Sequence, residues 1–266
     1  DSLNLNDFEK SLKNEIFIGG KLYPANVTTN SKFGVSNIDK IFPVLEILDK
    51  LNKNLLIHGE KISKDINIFD REKYFIDDEL TKIRKKFPHL NIIFEHVSSK
   101  YGADFISENS NIAGTITPQH MLITKKDVFV KNSINPHNFC MPVAKNEEDL
   151  IALRKYACSG NEKFFLGTDS APHQLKNKMS NVSSKPGIFS SPCSLELYTE
   201  IFDQENSLNK LESFASINGP IFYKLPVNKN KIKIVRKKWI LDEFTTNNKM
   251  KIKNFYGGQE LNWKVL

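Results

Sequence analysis

The chain has 266 residues, of which 39% are hydrophobic and 26% charged. These proportions are those of a globular domain, and they exclude collagen, low-complexity disorder and a small disulfide scaffold. The formal net charge of +7 comes from lysines scattered along the sequence. Because no recognition motif accompanies that charge, a nucleic-acid-binding protein is a distant alternative.

Three features of the sequence predict where the protein works. No run of about 18 apolar residues is present, so no transmembrane helix is expected. The polar, acidic first ten residues do not resemble a secretory signal. Cys140, Cys158 and Cys193 are an odd number without C-x-x-C spacing, which argues against disulfides and a cysteine zinc site. We therefore predict a cytoplasmic protein with no membrane partner.

Short apolar runs recur along the chain, and each ends in polar residues that can do chemistry. Short apolar runs of this kind are typical of the buried strands of α/β proteins, so we predict six strands. Residues 138–143 are the weakest of the six. The other five predicted strands end, in chain order, at Lys21, at His58 with Glu60, at Glu95 with His96, near Thr117 and His120, and at Asp169 with His173.

Segments between these runs carry apolar residues three or four positions apart, which predicts helices. Over residues 38–51 the pattern contains Pro43, so that helix should begin late or be kinked. Further helices are predicted around residues 75–87, 150–158, 195–202 and 208–215. Lysines alternate with isoleucine and valine over residues 229–238, which predicts a half-exposed strand.

Alternating strands and helices predict a parallel α/β fold. The spacing from Lys21 to His58 and on to His96 exceeds the roughly 30 residues that one strand–helix–strand unit needs. A doubly wound sheet would carry an early glycine-rich nucleotide motif, and none is present. We therefore predict a (β/α)8 TIM barrel, with residues 1–266 as a single domain. Two strands of the eight would lie upstream of Asp1.

Lys21, His58, His96 and Asp169 would converge at the mouth of such a barrel. Two imidazoles and a carboxylate are good zinc ligands, whereas a lysine ammonium has no lone pair. A buried lysine can lose its proton, take up carbon dioxide and become a carbamate that bridges two cations. Taken singly, each residue more often has a structural role, such as a helix cap at Asp169.

Longer strings of residues narrow the possibilities. In this order along the chain, they closely resemble the dihydroorotases, in particular the bacterial stand-alone class within the amidohydrolase superfamily. The resemblance extends to about residue 262. The strings are KLYPANVTTN at 21–30, HGE at 58–60, FEHVSSK at 94–100, TITPQH at 115–120, GTDSAPH at 167–173, NGPIFYKLP at 218–226 and the late GGQELNW.

The resemblance implies a barrel of the metal-dependent hydrolase type with two zinc ions at its mouth. It implies that Lys21 is the carboxylated lysine that bridges the two metals. His58 and His96 would bind the second, more solvent-exposed metal. Asp169 would bind the first metal and carry a proton during the reaction.

The resemblance also implies the residues that bind the substrate. His173 matches a histidine that binds its α-carboxylate, and Ser191 falls where the backbone binds the same group. Met141 falls where the family uses a leucine whose backbone contacts the pyrimidine ring. Thr28 and Thr29 match threonines of a mobile loop that closes over the substrate.

The sequence departs from the family pattern in one respect. The family's first strand carries H-x-H followed by an arginine, with an asparagine further on, and no H-x-H occurs here. We therefore expect the first one or two strand–helix units upstream of Asp1. We also expect this 266-residue polypeptide by itself to fold poorly, bind substrate poorly or be inactive.

The implied reaction is the reversible cyclisation of N-carbamoyl-L-aspartate to L-dihydroorotate in pyrimidine biosynthesis. The implied partners are that small-molecule substrate and a second copy of the chain in a homodimer. Two alternatives remain open at this stage. One is another cyclic amidohydrolase, such as a hydantoinase or an allantoinase. The other is a catalytically dead, dihydroorotase-like scaffold that binds a partner.

Overall fold

The fold is that of a computed structural model, which describes residues 3–14, 17–28, 31–179, 184–247 and 250–266. Strands and helices alternate over most of this length, as the sequence predicts. In these ranges the strands are β1 (Gly19–Leu22), β2 (Asn54–Ile57), β3 (Asn91–Phe94), β4 (Ile112–Ile116), β5 (Phe129–Val130), β6 (Ser133–Ile134), β7 (Phe164–Leu166), β8 (Ile234–Ile240), β9 (Phe244–Asn247), β10 (Met250–Lys253) and β11 (Glu260–Val265).

Helices connect the strands, and several are preceded or followed by 3₁₀ or π turns. The α-helices are α1 (Leu5–Lys13), α2 (Phe42–Lys50), α3 (Arg71–Phe75), α4 (Thr81–Lys86), α5 (Lys100–Glu108), α6 (Lys125–Val128), α7 (Glu147–Cys158), α8 (Leu175–Lys178), α9 (Ser194–Gln204), α10 (Leu208–Glu212) and α11 (Asn218–Tyr223). The 3₁₀ turns are Ile38–Ile41, Gln119–Met121, Pro136–Asn138 and Ser191–Cys193, and the π turns are Ile76–Leu80 and Ser213–Ile217.

Five strands form one parallel sheet in the order β1-β2-β3-β4-β7. Lys21 pairs with Leu56, and Leu56 pairs in turn with Ile93, so their side chains share one face of the sheet. All five carboxyl ends lie at the same edge, because the strands are parallel. The prediction of strands ending near Lys21, His58, His96, Thr117 and Asp169 is confirmed.

The predicted sixth strand, over residues 138–143, is wrong. In the described ranges this segment is irregular, and β4 pairs directly with β7. Pro142 has no amide hydrogen to give to a neighbouring strand. Its carbonyl instead accepts hydrogen bonds from His120 Nε2 at 2.9 Å and from Cys140 Sγ at 3.3 Å. Side chains therefore satisfy the backbone that a strand would have used.

The two faces of the sheet are covered by different groups. Alternate strand residues such as Leu55, Ile57 and Ile92 pack with helix residues in the main core. Their neighbours on the opposite face, including Ile93, Ala113 and Phe165, form a smaller cluster that Phe222 and Tyr223 of the α11 helix cover. The near-continuous apolar sequence of each strand follows from burial on both faces.

The predicted helices are present, and proline and glycine residues mark the start of one and the end of another. The helix α2 begins at Phe42 with Pro43 in its first turn, where a missing amide hydrogen costs nothing. The helix α7 is followed by Gly160, whose φ of 82° is a left-handed conformation that favours glycine. The predicted late start of α2 is confirmed.

The lysine-rich stretch near the end of the chain forms part of a two-stranded antiparallel ribbon. The strand β8 pairs with β11, and it is half exposed as predicted, but it begins at Ile234, so residues 229–233 of the predicted strand are not part of it. Arg236 contacts Asp203 at 2.8 Å and Lys238 contacts Glu260 at 2.7 Å. Surface ion pairs of this kind account for part of the excess of basic residues over 229–238.

Two further observations concern location. Cys140, Cys158 and Cys193 are free thiols. Across the described ranges, every helix is too short or too polar to cross a lipid bilayer.

Ile92 tests the contribution of the main core to stability. It is fully buried in β3, so Ile92→Ala should lower the free energy of unfolding by about 2–4 kcal/mol. Ile240 lies in β8 and is 68% exposed, so Ile240→Ala should change it by less than about 0.5 kcal/mol. Chemical denaturation of both variants measures the difference. Equal effects at the two positions would contradict the assignment of β3 to the core.

Candidate active site

Lys21, His58, His96 and Asp169 lie together at the carboxyl edge of the sheet. Lys21 is in β1, His58 follows β2 directly, and His96 and Asp169 lie two and three residues beyond β3 and β7. The rings of His58 and His96 are 4.5 Å apart between centroids. The charges of Lys21 and His58 both act on the carboxyl of Asp169. The four side chains therefore form one cluster.

The backbone turns sharply at two members of this cluster. His96 has a φ of 47° and Asp169 a φ of 43°, in the left-handed region that residues other than glycine seldom adopt. The amide of His96 donates to Thr115 Oγ1 at 2.8 Å, which holds the first turn. Gln119 Nε2 donates to the carbonyl of Thr168 at 3.1 Å beside the second. Strained residues held by neighbouring groups in this way concentrate at functional sites.

The cluster perturbs the acidity of its members. Burial lowers the pKa of Lys21 to about 8, although the negative charge of Asp169 acts in the opposite direction. Loss of hydration raises the pKa of Asp169 to about 6 against the opposing effect of His58 and Lys21. Burial, and then the nearby positive charges of His58 and Lys21, keep the pKa of His96 well below its ordinary value. Neutral imidazole is the form that binds metal ions.

Two glutamates contact the cluster, and sequence reasoning gave neither of them a role. Glu60 is fully buried, and its Oε2 lies 2.8 Å from His58 Nε2. A carboxylate in this position fixes the ring and its tautomer, as it does for metal-binding histidines. Glu95 forms an ion pair with Lys21. The signal for Glu60 was its position two residues after His58.

The donor atoms of the cluster fit a metal ion. His96 Nδ1 is buried and has no hydrogen-bond partner among the described residues. A buried polar nitrogen without a partner is unfavourable, and a metal ion bound to its lone pair would remove that cost. Among the described residues, no three His, Cys, Asp or Glu side chains are by themselves arranged to hold a metal. The carbamate that is predicted for Lys21 would add an anionic ligand beside the two imidazoles.

A cavity of about 360 Å³ opens next to the cluster. Its lining includes the polar residues Glu95, His96 and Asp169 and the aromatic residues Phe165 and Tyr223. This volume is sufficient for a small organic molecule. The cavity thus places such a molecule against the residues that could bind metal.

Three residues that the resemblance assigns to substrate binding lie outside the strands and the α-helices. His173 Nε2 is 2.9 Å from the carbonyl of Pro186, which can only accept, so this nitrogen carries the proton. The amide of Ser191 donates to Ser170 Oγ at 3.0 Å. Met141 is partly buried and follows the buried Cys140. None of these three is among the described residues that line the cavity.

The predicted closing loop is described only in part. Thr28 is partly buried, and its amide donates to Ser31 Oγ at 2.9 Å. The Ser31 hydroxyl donates back to the carbonyl of Thr28 at 2.7 Å. Thr29, the other threonine that was expected in this loop, lies outside the described residues.

Comparison with known proteins identifies the family. A dihydroorotase of Shewanella frigidimarina is 44% identical to the chain over 250 residues, covering 93% of the chain and 72% of that relative. The chain belongs to the dihydroorotase family. The crystal structure of a Saccharomyces cerevisiae dihydroorotase in complex with 5-fluoroorotic acid matches with a TM-score of 0.92 at 30% identity, covering 99% of the chain and 77% of that protein. No protein-family model matches the chain.

More distant structural neighbours are hydantoinases, which share the fold alone. An L-hydantoinase of Arthrobacter aurescens matches with a TM-score of 0.78 at 17% identity, over 97% of the chain and 64% of that protein. The predicted family and the predicted (β/α)8 TIM barrel of the metal-dependent hydrolase type are both confirmed. The roles predicted for individual residues stay predictions.

His120 supports the segment that carries Met141. It is buried, with Nε2 at 2.9 Å from the carbonyl of Pro142 and Nδ1 at 2.8 Å from Thr117 Oγ1. Because a carbonyl only accepts, Nε2 carries the proton and the Thr117 hydroxyl donates to Nδ1. Burial lowers the pKa of His120 to about 4, so the ring is neutral near pH 7.

His120 should therefore make the protein sensitive to acid. The folded state disfavours the charged ring. The stability that the neutral ring contributes near pH 7 is therefore lost as the pH falls from about 6.5 towards 4. We expect a loss of up to about 3 kcal/mol of unfolding free energy over that range. His120→Gln keeps a donor for Pro142 and cannot titrate, so its unfolding free energy should fall less steeply. Chemical denaturation across this pH range measures the slopes.

His89 supplies the matched control for this experiment. It is exposed on the surface, so His89→Gln should keep the pH dependence of the parent protein. If His120→Gln and the parent protein have parallel pH profiles, His120 does not carry the effect.

Proposed function

We propose that the chain is a dihydroorotase, an enzyme that interconverts N-carbamoyl-L-aspartate and L-dihydroorotate with loss or gain of water, in pyrimidine (UMP) biosynthesis. The observation that carries this proposal is the cluster of Lys21, His58, His96 and Asp169 beside a cavity, in a chain of the dihydroorotase family. A pyrimidine substrate is further supported by the yeast relative, whose crystal structure is a complex with 5-fluoroorotic acid.

Dihydroorotases are metal-dependent hydrolases, and we propose two zinc ions for this one. Lys21, once carboxylated, would be shared between the ions, His58 and His96 would bind one of them, and Asp169 the other. Zinc supplies a Lewis acid that polarises an amide carbonyl and makes water a stronger acid. The buried, unpartnered Nδ1 of His96 supports this assignment.

Asp169 is the proposed proton carrier. Its carboxylate lies at the solvent-accessible mouth, where it lines the cavity beside His96. In the hydrolytic direction it would take a proton from the attacking water and pass it to the amide nitrogen that leaves the ring. In the synthetic direction it would take the proton from the carbamoyl nitrogen and return it to the departing water.

The remaining residues would hold the substrate, which is a dianion. We assign its α-carboxylate to His173 and to the backbone of Ser191, and its ring to the backbone of Met141. Thr28 and Thr29 would belong to a loop that excludes water when it closes. The net charge of +7 favours the approach of an anion.

The other candidate functions are less well supported. The relatives at 41–45% identity are dihydroorotases, whereas the hydantoinases share only the fold, so another cyclic-amidohydrolase activity is not favoured. The same relatives speak against a catalytically dead scaffold. A cytoplasmic location and a homodimer stay predictions.

Asp169→Asn tests the proton carrier. The amide cannot accept a proton in the reaction, so kcat should fall by at least about 100-fold in the complete, zinc-loaded protein. The melting temperature should change little. Asp65 is exposed and distant in sequence, and Asp65→Asn should leave kcat unchanged. Turnover of L-dihydroorotate near the parent rate in Asp169→Asn would refute the assignment.

Lys21→Ala tests the carboxylated lysine. The variant lacks the bridging group, so its zinc content after dialysis, measured by elemental analysis, should fall well below that of the parent. Short carboxylic acids such as acetate should restore part of the zinc content, because they can replace a carbamate. The exposed Lys10 gives the control variant Lys10→Ala. Full zinc occupancy in Lys21→Ala would count against carboxylation.

A further inference from the structure

A buried ammonium lies outside the cluster described above. Lys178 ends the α8 helix and is only 4% exposed. Its Nζ donates to three backbone carbonyls, those of Phe139 at 3.2 Å, Lys185 at 2.9 Å and Gly187 at 2.7 Å. In the part of the chain that the structure describes, Lys178 forms no ion pair with a carboxylate. The three carbonyls therefore compensate its charge.

Burying a charge without a counterion costs free energy, so a buried lysine at this position calls for a structural explanation. Burial lowers the pKa of Lys178 to about 8, which reflects that cost. An ammonium has three donors, and here each donor has its own carbonyl. Such an arrangement fixes the three carbonyls relative to one another.

The three carbonyls belong to two segments that carry proposed substrate contacts. Phe139 lies two residues before Met141. Lys185 and Gly187 flank Pro186, whose carbonyl accepts from His173 Nε2 at 2.9 Å. The amide of Gly187 also donates to the carbonyl of Phe139 at 2.9 Å. Lys178 thus joins the Met141 segment to the turn that holds His173.

The turn at Gly187 packs tightly against the His173 segment. Gly187 has a φ of 146°, and a Cβ there would lie 2.6 Å from the Ala171 carbonyl oxygen and 2.9 Å from His173 Cδ2. A shift of the turn would therefore move His173.

Further hydrogen bonds connect the His173 segment to the segment that carries Ser191. The amide of Ala171 donates to the carbonyl of Ile188 at 2.9 Å. Ser170 Oγ accepts from the amides of Ser190 and Ser191, at 3.1 and 3.0 Å. The backbone from Gly187 to Ser191 is therefore fixed along its length.

We propose that Lys178 is a positioning residue for substrate binding. Its ammonium holds the Met141 segment against the His173 turn and so sets the spacing of the groups that grip the substrate. Lys178 itself does not touch the substrate. The assignment rests on the proposed function for the roles of Met141, His173 and Ser191, whereas the hydrogen bonds are independent of that function.

Lys178→Met tests this role in the complete, zinc-loaded protein. The variant keeps the length of the side chain and removes its three donors. Because the residues that Lys178 positions would contact bound substrate and transition state alike, KM for L-dihydroorotate should rise about ten-fold while kcat stays within about three-fold. The Kd of 5-fluoroorotic acid should rise in parallel. Zinc content should be unchanged.

Two further variants separate positioning from general damage. Lys178→Arg keeps the charge but offers a planar fork, so its KM should lie between those of the parent and Lys178→Met. Lys176 is exposed in the same helix, and Lys176→Met should behave as the parent. If Lys178→Met fails to fold, Lys178→Arg decides: a raised KM at unchanged kcat supports the role, and an unchanged KM overturns it.

Hydrogen exchange of the backbone amides gives a readout that needs no activity. In Lys178→Met, the Gly187 amide and residues 139–143 should lose protection, while β2 and β3 keep theirs. Retained protection at Gly187, or a fall in kcat at unchanged KM, would overturn the proposal. If the complete parent protein fails to turn over L-dihydroorotate, the proposed function is contradicted. The hydrogen-exchange result alone then tests whether Lys178 holds the two segments together.

Discussion

Five parallel strands in continuous register bring Lys21, His58, His96 and Asp169 to one edge of the sheet, although more than 140 residues separate the first from the last. Each strand need only end in a polar residue for its side chain to reach the common edge. The apolar alternation within each strand then fixes which residues face the helices and which face the cavity. Any slip of one residue in a strand would remove its member from the site.

The cluster concentrates groups that repel one another when they are all protonated. Lys21, His58 and His96 lie close together, and burial together with the charges of His58 and Lys21 lowers the pKa of His96. Glu60 and Glu95 offset part of this by contacting His58 and Lys21. The result is a set of lone pairs and anionic oxygens that matches the needs of a divalent cation.

Single buried polar side chains hold the irregular segments around the cluster. The carboxylate of Glu72 accepts from the amide of Ser98 at 2.9 Å and from the hydroxyls of Ser98 and Ser99, which fixes the turn after His96. His120 and Lys178 do the same for the backbone on either side of Met141. A buried polar group costs free energy when it is unpaired. Each of these groups therefore favours the one backbone conformation of its segment that supplies its hydrogen-bond partners.

The sequence by itself determined the five sheet strands, the late start of α2 next to Pro43 and the family, because apolar periodicity, proline chemistry and long motif strings are local properties. It could not determine that residues 138–143 are irregular, because that depends on His120 reaching Pro142 from a distant part of the chain. Likewise Lys178 is one of many lysines in the sequence, and Glu60 is one acidic residue beside a histidine. Only the tertiary structure decided their roles, because burial and hydrogen-bond partners are set by contacts between residues that are far apart in sequence.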